Sequence, residues 1–512
     1  MYKAADILLK TLTKLGVDTV FGYPGSSVLP IYDRIPDYPI RHILTAHEQG
    51  ASFAASGYAR ATGKTGVVIA TSGPGATNLV TGIADAFMDS VPLVAITGNV
   101  KLSDLGHDCF QEVDIFGITM PIVKYSYIVT SSADIEKTVL EAFKIAHQGR
   151  KGPVLIDIPF DVLTGEAKYS DLPVEKENSP CDFGQLNEAA KMINDSQKPF
   201  LFVGGGAIAS DAFDGIKLLS EKIHAKVGVT FMALGSVDSS SDGYVGIVED
   251  TNVIALDAIK NSDLIISLGV RFSNRNKSVS LKGKKMVQID VDKAEIDKNV
   301  PTTAYLLGDL KKALGVLLPL INFKETKTQG RYLPALTHRS EKIVSALGKI
   351  CPDAVIVTDV GLHQICAAKC FPYRAPRTFL TSGGLGVMGF GMGAAIGAAL
   401  STGKKTILIT GDGSLRMNIN EFETAVKLNI PLTVLCFNNS SLGLIKRLQK
   451  KQYGRNYVEC ELSKLNFASL ADCYGGKGFS LSKSDDIESV LKNALSCNKP
   501  AIVDCEIPQS EI

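Results

Sequence analysis

Charge bias is the first thing this sequence lacks. Among 512 residues, 54 Lys and Arg face 53 Asp and Glu, a formal net charge of +1. Both signs are spread along the chain with no basic block, which argues against nucleic acid or an anionic membrane surface as a partner. Paired cysteines are also missing. The ten cysteines, Cys351, Cys366 and Cys370 among them, show no C-x-x-C spacing, so zinc is not expected. Scattered cysteines in a long chain read as thiols of a reducing compartment, here the cytoplasm, rather than as a disulfide framework. A signal peptide is not expected either. Ala5, Leu8, Leu9, Leu12 and Leu15 recur at helical spacing, but Lys3, Asp6, Lys10 and Lys14 interrupt them. Internal repeats and low-complexity tracts are absent.

Long uncharged runs are scarce, and the one from Gly383 to Leu400 carries seven glycines. Such a run reads as a buried turn and helix closely approached by another element, not as a membrane span.

What is present is ordinary for a globular protein: 45% hydrophobic and 21% charged residues. At roughly 100–200 residues per domain, the length suggests about three domains. Short apolar runs alternate with helical patterns. They are Gly66–Ala70, Leu93–Thr97, Val154–Ile158, Phe200–Val203, Leu264–Leu268, Met286–Ile289, Ala354–Thr358, Thr406–Thr410, Leu432–Phe437 and Ala501–Cys505. Continuous apolar strands separated by helices predict parallel sheets buried on both faces. Polar stretches at Lys168–Asp182 and Phe323–Pro334 read as linkers, which cuts the chain into 1–166, 184–322 and 335–512.

Two glycine motifs follow strands. Gly204-Gly205-Gly206, after Phe200–Val203, approximates a dinucleotide fingerprint and equally fits a tight turn with no ligand. Asp290 and Asp292 could touch a ribose or cap the next helix. The second motif is more specific. Gly411-Asp412-Gly413-Ser414 ends one strand and Asn438-Asn439 ends another, both at strand carboxyl ends, where open α/β sheets bind ligands. A carboxylate, an amide oxygen and a backbone carbonyl suit a hard cation that bridges to phosphate. Gly411 and Gly413 permit close approach of a diphosphate.

With this pair in place, the chain resembles the thiamine diphosphate-dependent acetolactate synthase family over nearly its whole length. The matching segments are Phe21-Gly-Tyr-Pro-Gly25, His47-Glu-Gln-Gly-Ala51, Thr71-Ser-Gly-Pro-Gly-Ala-Thr-Asn78, Phe110-Gln-Glu112, Val360-Gly-Leu-His-Gln364, Thr381-Ser-Gly-Gly-Leu-Gly-Val-Met-Gly389 and Gly411-Asp-Gly-Ser414. The resemblance implies an α/β fold of three doubly wound parallel-sheet domains: pyrimidine-binding (1–166), central Rossmann-like (184–322) and diphosphate-binding (335–512). It implies that Asp412, Asn439 and the Ser441 carbonyl hold Mg2+, and that Gly413, Ser414 and His363 face the diphosphate. Gly386 would hold the aminopyrimidine and Met388 would bend the cofactor. Tyr23, Pro24, Gly25, Pro74, Asn78 and Leu444 complete the implied cofactor site.

The same resemblance makes Glu48 the catalytic carboxyl, hydrogen-bonded to the pyrimidine so that the imino tautomer can take the thiazolium proton. A glutamate in a helical pattern is ordinarily a solvated surface residue. Here it precedes Gly50-Ala51-Ser52 and Gly57-Tyr58-Ala59, a small-residue face suited to packing. Phe110 and Gln111 are implied on the substrate side. Glu48 and Asp412 come from different subunits in the family, so a homodimer or homotetramer with interfacial active sites is expected.

The implied activity is decarboxylation of pyruvate or a related 2-oxo acid and joining of the product to a second carbonyl. His107 is followed by Asp108 rather than by a second histidine, which favours joining over release of an aldehyde. Three departures leave alternatives open. The chain contains no tryptophan, and Leu448 stands about where the family has one; Phe160 stands where the family has a lysine. An aldehyde or keto-sugar acceptor, or a non-catalytic cofactor-binding role, therefore stays in view. Asp238–Glu249 lacks the family's flavin segment although Arg275 matches, so FAD is left open as well.

Overall fold

The computed structural model describes all residues except 176–179, 274–280, 282, 326–331, 455–456 and 512. Arg275 and parts of both linkers lie outside the described residues. The chain forms two compact units, one of residues 1–177, 355–364 and 380–512, the other of 178–354 and 365–379.

The first unit holds two six-stranded sheets. One has the spatial order Arg41–Leu44, Thr19–Gly22, Gly66–Ala70, Leu93–Asn99, Pro153–Pro159, Tyr125–Ile128, every pairing parallel. Its strands are apolar on both faces. Val67, Ile69, Val94 and Ile96 enter one core, and Val68, Ala70, Leu93 and Ala95 the other. A side-chain period of two turns one unbroken apolar run into two buried faces. The N-terminal helix Ala4–Lys14 packs Leu8, Leu9 and Leu12 into the first of these cores. The second sheet runs Phe379–Thr381, Val355–Thr358, Thr406–Gly411, Leu432–Asn438, Ala501–Glu506, Lys477–Leu481.

The second unit holds one parallel sheet, ordered Tyr244–Ile247, Lys226–Val229, Pro199–Val203, Leu264–Leu268, Lys285–Asp290, Ala304–Leu307. The ten expected strands all form, and the α/β class of three parallel-sheet layers is as expected. The six edge strands of these sheets escaped the sequence pattern, and so did the interior strands Thr19–Gly22 and Lys226–Val229.

Within the first unit, two helices rich in small residues meet. Helix α1 spans Glu48–Thr62 and ends at Gly63, whose φ of 77° is left-handed. Helix α2 spans Phe390–Thr402, between Gly389 and Gly403 at φ 85° and 63°. They touch backbone to backbone. A Cβ at Gly397 would lie 1.9 Å from the Ala54 carbonyl oxygen, and one at Gly57 2.1 Å from the Ala394 oxygen. The uncharged run Gly383–Leu400 is therefore the expected buried helix with a close neighbour. No helix among the described residues is long and apolar enough to cross a membrane.

This packing and a buried carboxyl in the first sheet each give a testable consequence. Gly397→Ala should lower the midpoint of thermal unfolding by several degrees, because overpacking costs about 1–3 kcal/mol and here the obstacle is backbone. An unchanged melting curve would refute the contact. The second concerns Asp157, which is 1% exposed. Burial pushes its carboxyl from the ordinary 3.8 up to about 7, although Thr97 and Asn99 donate to it and oppose the rise. The folded state then holds a proton that the unfolded chain loses, so this contribution to stability is full below about 3.8 and is lost as pH rises toward about 7. Asp157→Asn should melt with less loss between pH 5 and 8 than the parent protein.

Candidate active site

The first sheet builds one cluster of polar groups at its strand ends. Glu48 is the first residue of α1, and His47 caps the helix, its Nδ1 accepting the Gln49 N–H at 3.1 Å. The Glu48 carboxyl is half-buried rather than solvated. Its Oε2 accepts from Asn78 Nδ2 at 3.0 Å, and its Oε1 lies 3.3 Å from where a Gly75 side chain would begin. Gly25 packs on Thr71, 2.4 Å from the Thr71 Cβ to a Cβ built at Gly25, which sets the Tyr23–Gly25 loop beside the turn that leads to Pro74. Gln111 has a left-handed φ of 59°, and its carbonyl would meet a Gly73 side chain at 2.7 Å. Glu48, Asn78, Pro74, Gly25 and Gln111 thus share one neighbourhood.

Phe110 is 87% exposed. Its loop is tied by Glu112, whose carboxylate accepts the N–H groups of Gly106 and Cys109. His107 is exposed, with Nδ1 at 3.1 Å from the Leu105 carbonyl, an ordinary loop contact.

The second sheet builds another cluster. Asp412 begins the helix α3, Asp412–Asn418, and is 2% exposed. Strand register sets Gly411 opposite Phe437, so Asp412 and Asn439 leave adjacent strand ends. Burial pushes the Asp412 carboxyl up to about 6, against the Gly413 and Ser441 N–H groups and the Arg416 charge. Its Oδ2 is buried and unpartnered. Asn439 Oδ1 accepts the Ser441 N–H at 3.1 Å, and the Ser441 hydroxyl donates to the Cys460 carbonyl at 3.0 Å. His363 is 8% exposed with Nε2 unpartnered, and burial lowers its pKa to about 4, so the ring is neutral. Gly411 abuts this ring. Ser414 donates to the Val360 carbonyl at 3.3 Å. The Met388 methyl lies 3.7 Å from where a Gly413 side chain would start. Leu444 and Leu448 lie on Gly443–Tyr453, a helix with no buried residue.

The donor set fits a hard cation and a diphosphate. Two buried polar atoms, Asp412 Oδ2 and His363 Nε2, lack partners, and such atoms are expensive unless something binds them. Among the described residues no group of three or more His, Cys, Asp or Glu could hold a metal. A set of one carboxylate, one amide and one carbonyl is instead what a magnesium ion shared with phosphate uses.

The sequence reading missed the groups that hold these loops. Arg60, at the far end of α1, pairs with Asp85 at 2.8 Å and Asp89 at 3.0 Å, all three side chains buried. Asp89 accepts the N–H groups of Gly383 and Gly384. Ser382 donates to Asp85 at 2.5 Å and accepts from the Gly386 and Val387 N–H groups. The loop carrying Gly386 and Met388 is thereby anchored to the first sheet's helices. Asp359, wholly buried, accepts the Gly391 N–H and the Thr410 hydroxyl. The spacing gave little signal: Asp85 and Asp89 lie 25 and 29 residues from Arg60.

The glycines at 204–206 are explained by the protein itself. A Cβ at Gly204 would lie 2.1 Å from the Gly269 carbonyl oxygen, and one at Gly206 2.7 Å from the Gly269 Cα. Asp292 caps the following turn through the Ala294 N–H. A cavity of about 180 Å3 in the second unit, lined by Tyr244, Glu249, Tyr332 and Lys369 among others, contains none of the expected site residues. Lys369 there is paired with Glu249 at 2.6 Å.

Comparison with known proteins agrees with this geometry. Residues 2–118, 186–317 and 359–505 match the N-terminal thiamine pyrophosphate-binding, central and C-terminal thiamine pyrophosphate-binding domains of thiamine pyrophosphate enzymes. Acetolactate synthase of Arthrospira platensis is 40% identical, with 99% of this chain and 94% of that protein covered. The acetolactate synthase of Mycobacterium bovis is 40% identical over 98% of this chain and 87% of that protein. The acetolactate synthase large subunit of Haemophilus influenzae is 38% identical over 99% and 95%. The chain is a thiamine diphosphate-dependent enzyme and belongs to the acetolactate synthase family.

Proposed function

We propose that this enzyme decarboxylates pyruvate, or a related 2-oxo acid, and joins the remaining fragment to a second 2-oxo acid. The observation that carries the reading is the buried, unpartnered Asp412 oxygen beside the Asn439 strand end, in a chain that retains Glu48. Asp412, Asn439 and the Ser441 carbonyl would hold Mg2+. His363, Gly413 and Ser414 would receive the diphosphate; Gly386, Met388, Leu444, Tyr23, Pro24, Gly25, Pro74 and Asn78 would enclose the rest. When bound, thiamine diphosphate supplies the electron sink for decarboxylation.

The residues do the remainder. His363 would line the diphosphate side without adding a charge, its ring being neutral. Asn78 holds one Glu48 oxygen and leaves the other to share a proton with a ring nitrogen. Phe110 and Gln111, on the loop tied by Glu112, would face the substrate. An exposed His107 bonded to its own loop offers no paired proton donor, which supports joining over aldehyde release. Phe160 and Leu448 would shape the acceptor side. The proposal needs no flavin.

We further propose domain bounds of 1–166, 184–322 and 335–512, and a homodimer or homotetramer with active sites between subunits. Two features support the assembly. The Glu48 and Asp412 side chains of one chain share no hydrogen bond or ion pair among the described residues, and apolar side chains of the surrounding loops and helices stand exposed: Tyr23 at 42%, Leu385 at 43% and Met417 at 56%. A cytoplasmic, reducing location is supported by ten cysteines that are all free thiols.

Purified protein with pyruvate, Mg2+ and cofactor should form acetolactate, and Glu48→Gln should slow it by about 10²–10⁴-fold, the range of proton-transfer catalysis. Undiminished activity in that variant would exclude Glu48. Asp412→Asn should raise the Mg2+ concentration for half-activation by more than about 100-fold, since even outer partners of a metal site are worth about 10–100-fold. A magnesium titration that superimposes on the parent's would exclude Asp412 as a ligand.

A further inference from the structure

Glu421 is a buried carboxylate that the chemistry above does not use. It opens the helix α4, Glu421–Lys427, and is 0% exposed. Its Oε2 accepts the Ala46 N–H at 3.1 Å and its Oε1 the His47 N–H at 3.0 Å. The Thr424 hydroxyl donates to Oε2 at 3.0 Å. The carboxyl lies hard against α1, since a Cβ on Gly50 would be 2.0 Å from Oε1. Burial raises its pKa, and the same donors oppose the rise.

The place of those two N–H groups matters more than their number. Residues 45–47 connect the strand Arg41–Leu44 to α1, and the next residue is Glu48. Thr45 donates its N–H to the Gly22 carbonyl at 3.3 Å and its hydroxyl to the His47 carbonyl at 3.0 Å. The His47 ring is occupied as the helix cap. Glu421 takes the two N–H groups that remain. Every backbone N–H of the connection is thus bound, immediately upstream of Glu48. Asn418, at the end of α3, adds a contact just downstream by donating to Gln49 Oε1 at 3.2 Å and to the Gly389 carbonyl at 2.8 Å.

An apolar side chain would fill this volume at lower desolvation cost. It could not accept two adjacent N–H groups, and a glutamine would turn an NH2 donor toward one of them in place of the second carboxylate oxygen. We propose that Glu421 is a positioning residue that sets Glu48 by clamping the Ala46–His47 backbone. This rests on the reading of Glu48 as the acting carboxyl.

Glu421→Gln keeps the volume and removes one acceptor; Glu421→Ala removes both. The expected result is a fall in kcat of up to about 10²-fold, the scale of an ångström-sized misplacement. KM for pyruvate and the Kd of the cofactor should change less than about threefold. Amide hydrogen exchange in residues 44–50 should accelerate in both variants while the strand Thr406–Gly411 keeps its protection. The double variant Glu48→Gln/Glu421→Gln should be no slower than Glu48→Gln alone, because the second change acts through the first. Parent-like kcat with parent-like exchange in 44–50 would overturn the proposal, as would losses that multiply in the double variant. Should Glu421→Ala fail to fold, Glu421→Gln decides. An active Glu48→Gln single variant would mark the failure as that of the Glu48 reading, since the exchange measurement does not depend on it.

Discussion

The approach of α1 and α2, backbone against backbone, is the constraint on which the rest of the first unit depends. Gly57, Gly393 and Gly397 each forgo a side chain where a Cβ would collide with the opposing helix. A glycine inside a helix costs about 1 kcal/mol relative to alanine, so the three together sacrifice roughly 3 kcal/mol of helix propensity. The return is a helix separation that larger residues could not reach, with dispersion and Cα–H···O contacts along the seam. Because Glu48 starts α1 and the Gly386–Met388 loop leads into α2, that separation also sets where both halves of the proposed cofactor site stand.

Buried charge reinforces the same geometry. Arg60 ties α1 to Asp85 and Asp89, which hold the 382–387 loop through Ser382 and two backbone N–H groups. Removing one member of such a network leaves an uncompensated charge, at a cost of about 3–5 kcal/mol. Asp359, Asp157 and Glu421 are buried too, and in each both carboxyl oxygens accept a hydrogen bond. Asp412 differs in having an oxygen left over. That contrast separates these three carboxylates, which tie loops, from Asp412, which is proposed to hold the metal.

Much of the architecture was legible because parallel strands in a doubly covered sheet must be apolar on both faces. Val67-Val68-Ile69-Ala70 announces itself in this way. The edge strands were illegible for the converse reason. Arg41–Leu44, Tyr125–Ile128 and Lys477–Leu481 have one neighbour and partly exposed side chains, so polar residues interrupt them and the pattern resembles a loop. Of the proposed site, Asp412, Asn439 and Glu48 were picked out by their motifs. Arg60, Asp85, Ser382 and Glu421 were not, because each acts on residues up to 375 positions away, a distance no local spacing encodes.

The sequence by itself determined the chemistry available: strand ends bearing Gly-Asp-Gly and Asn-Asn, a glutamate before a small-residue helix, and no charge bias to suggest another partner. These are local properties, set by which atoms a few neighbouring residues possess. Only the tertiary structure decided what each glycine was for. Gly204 and Gly206 are filled by Gly269, Gly57 and Gly397 by an opposing helix, while Gly411 lines the ring of His363. A missing side chain reads the same in every sequence; its purpose depends on what occupies the space, and long-range packing alone settles that.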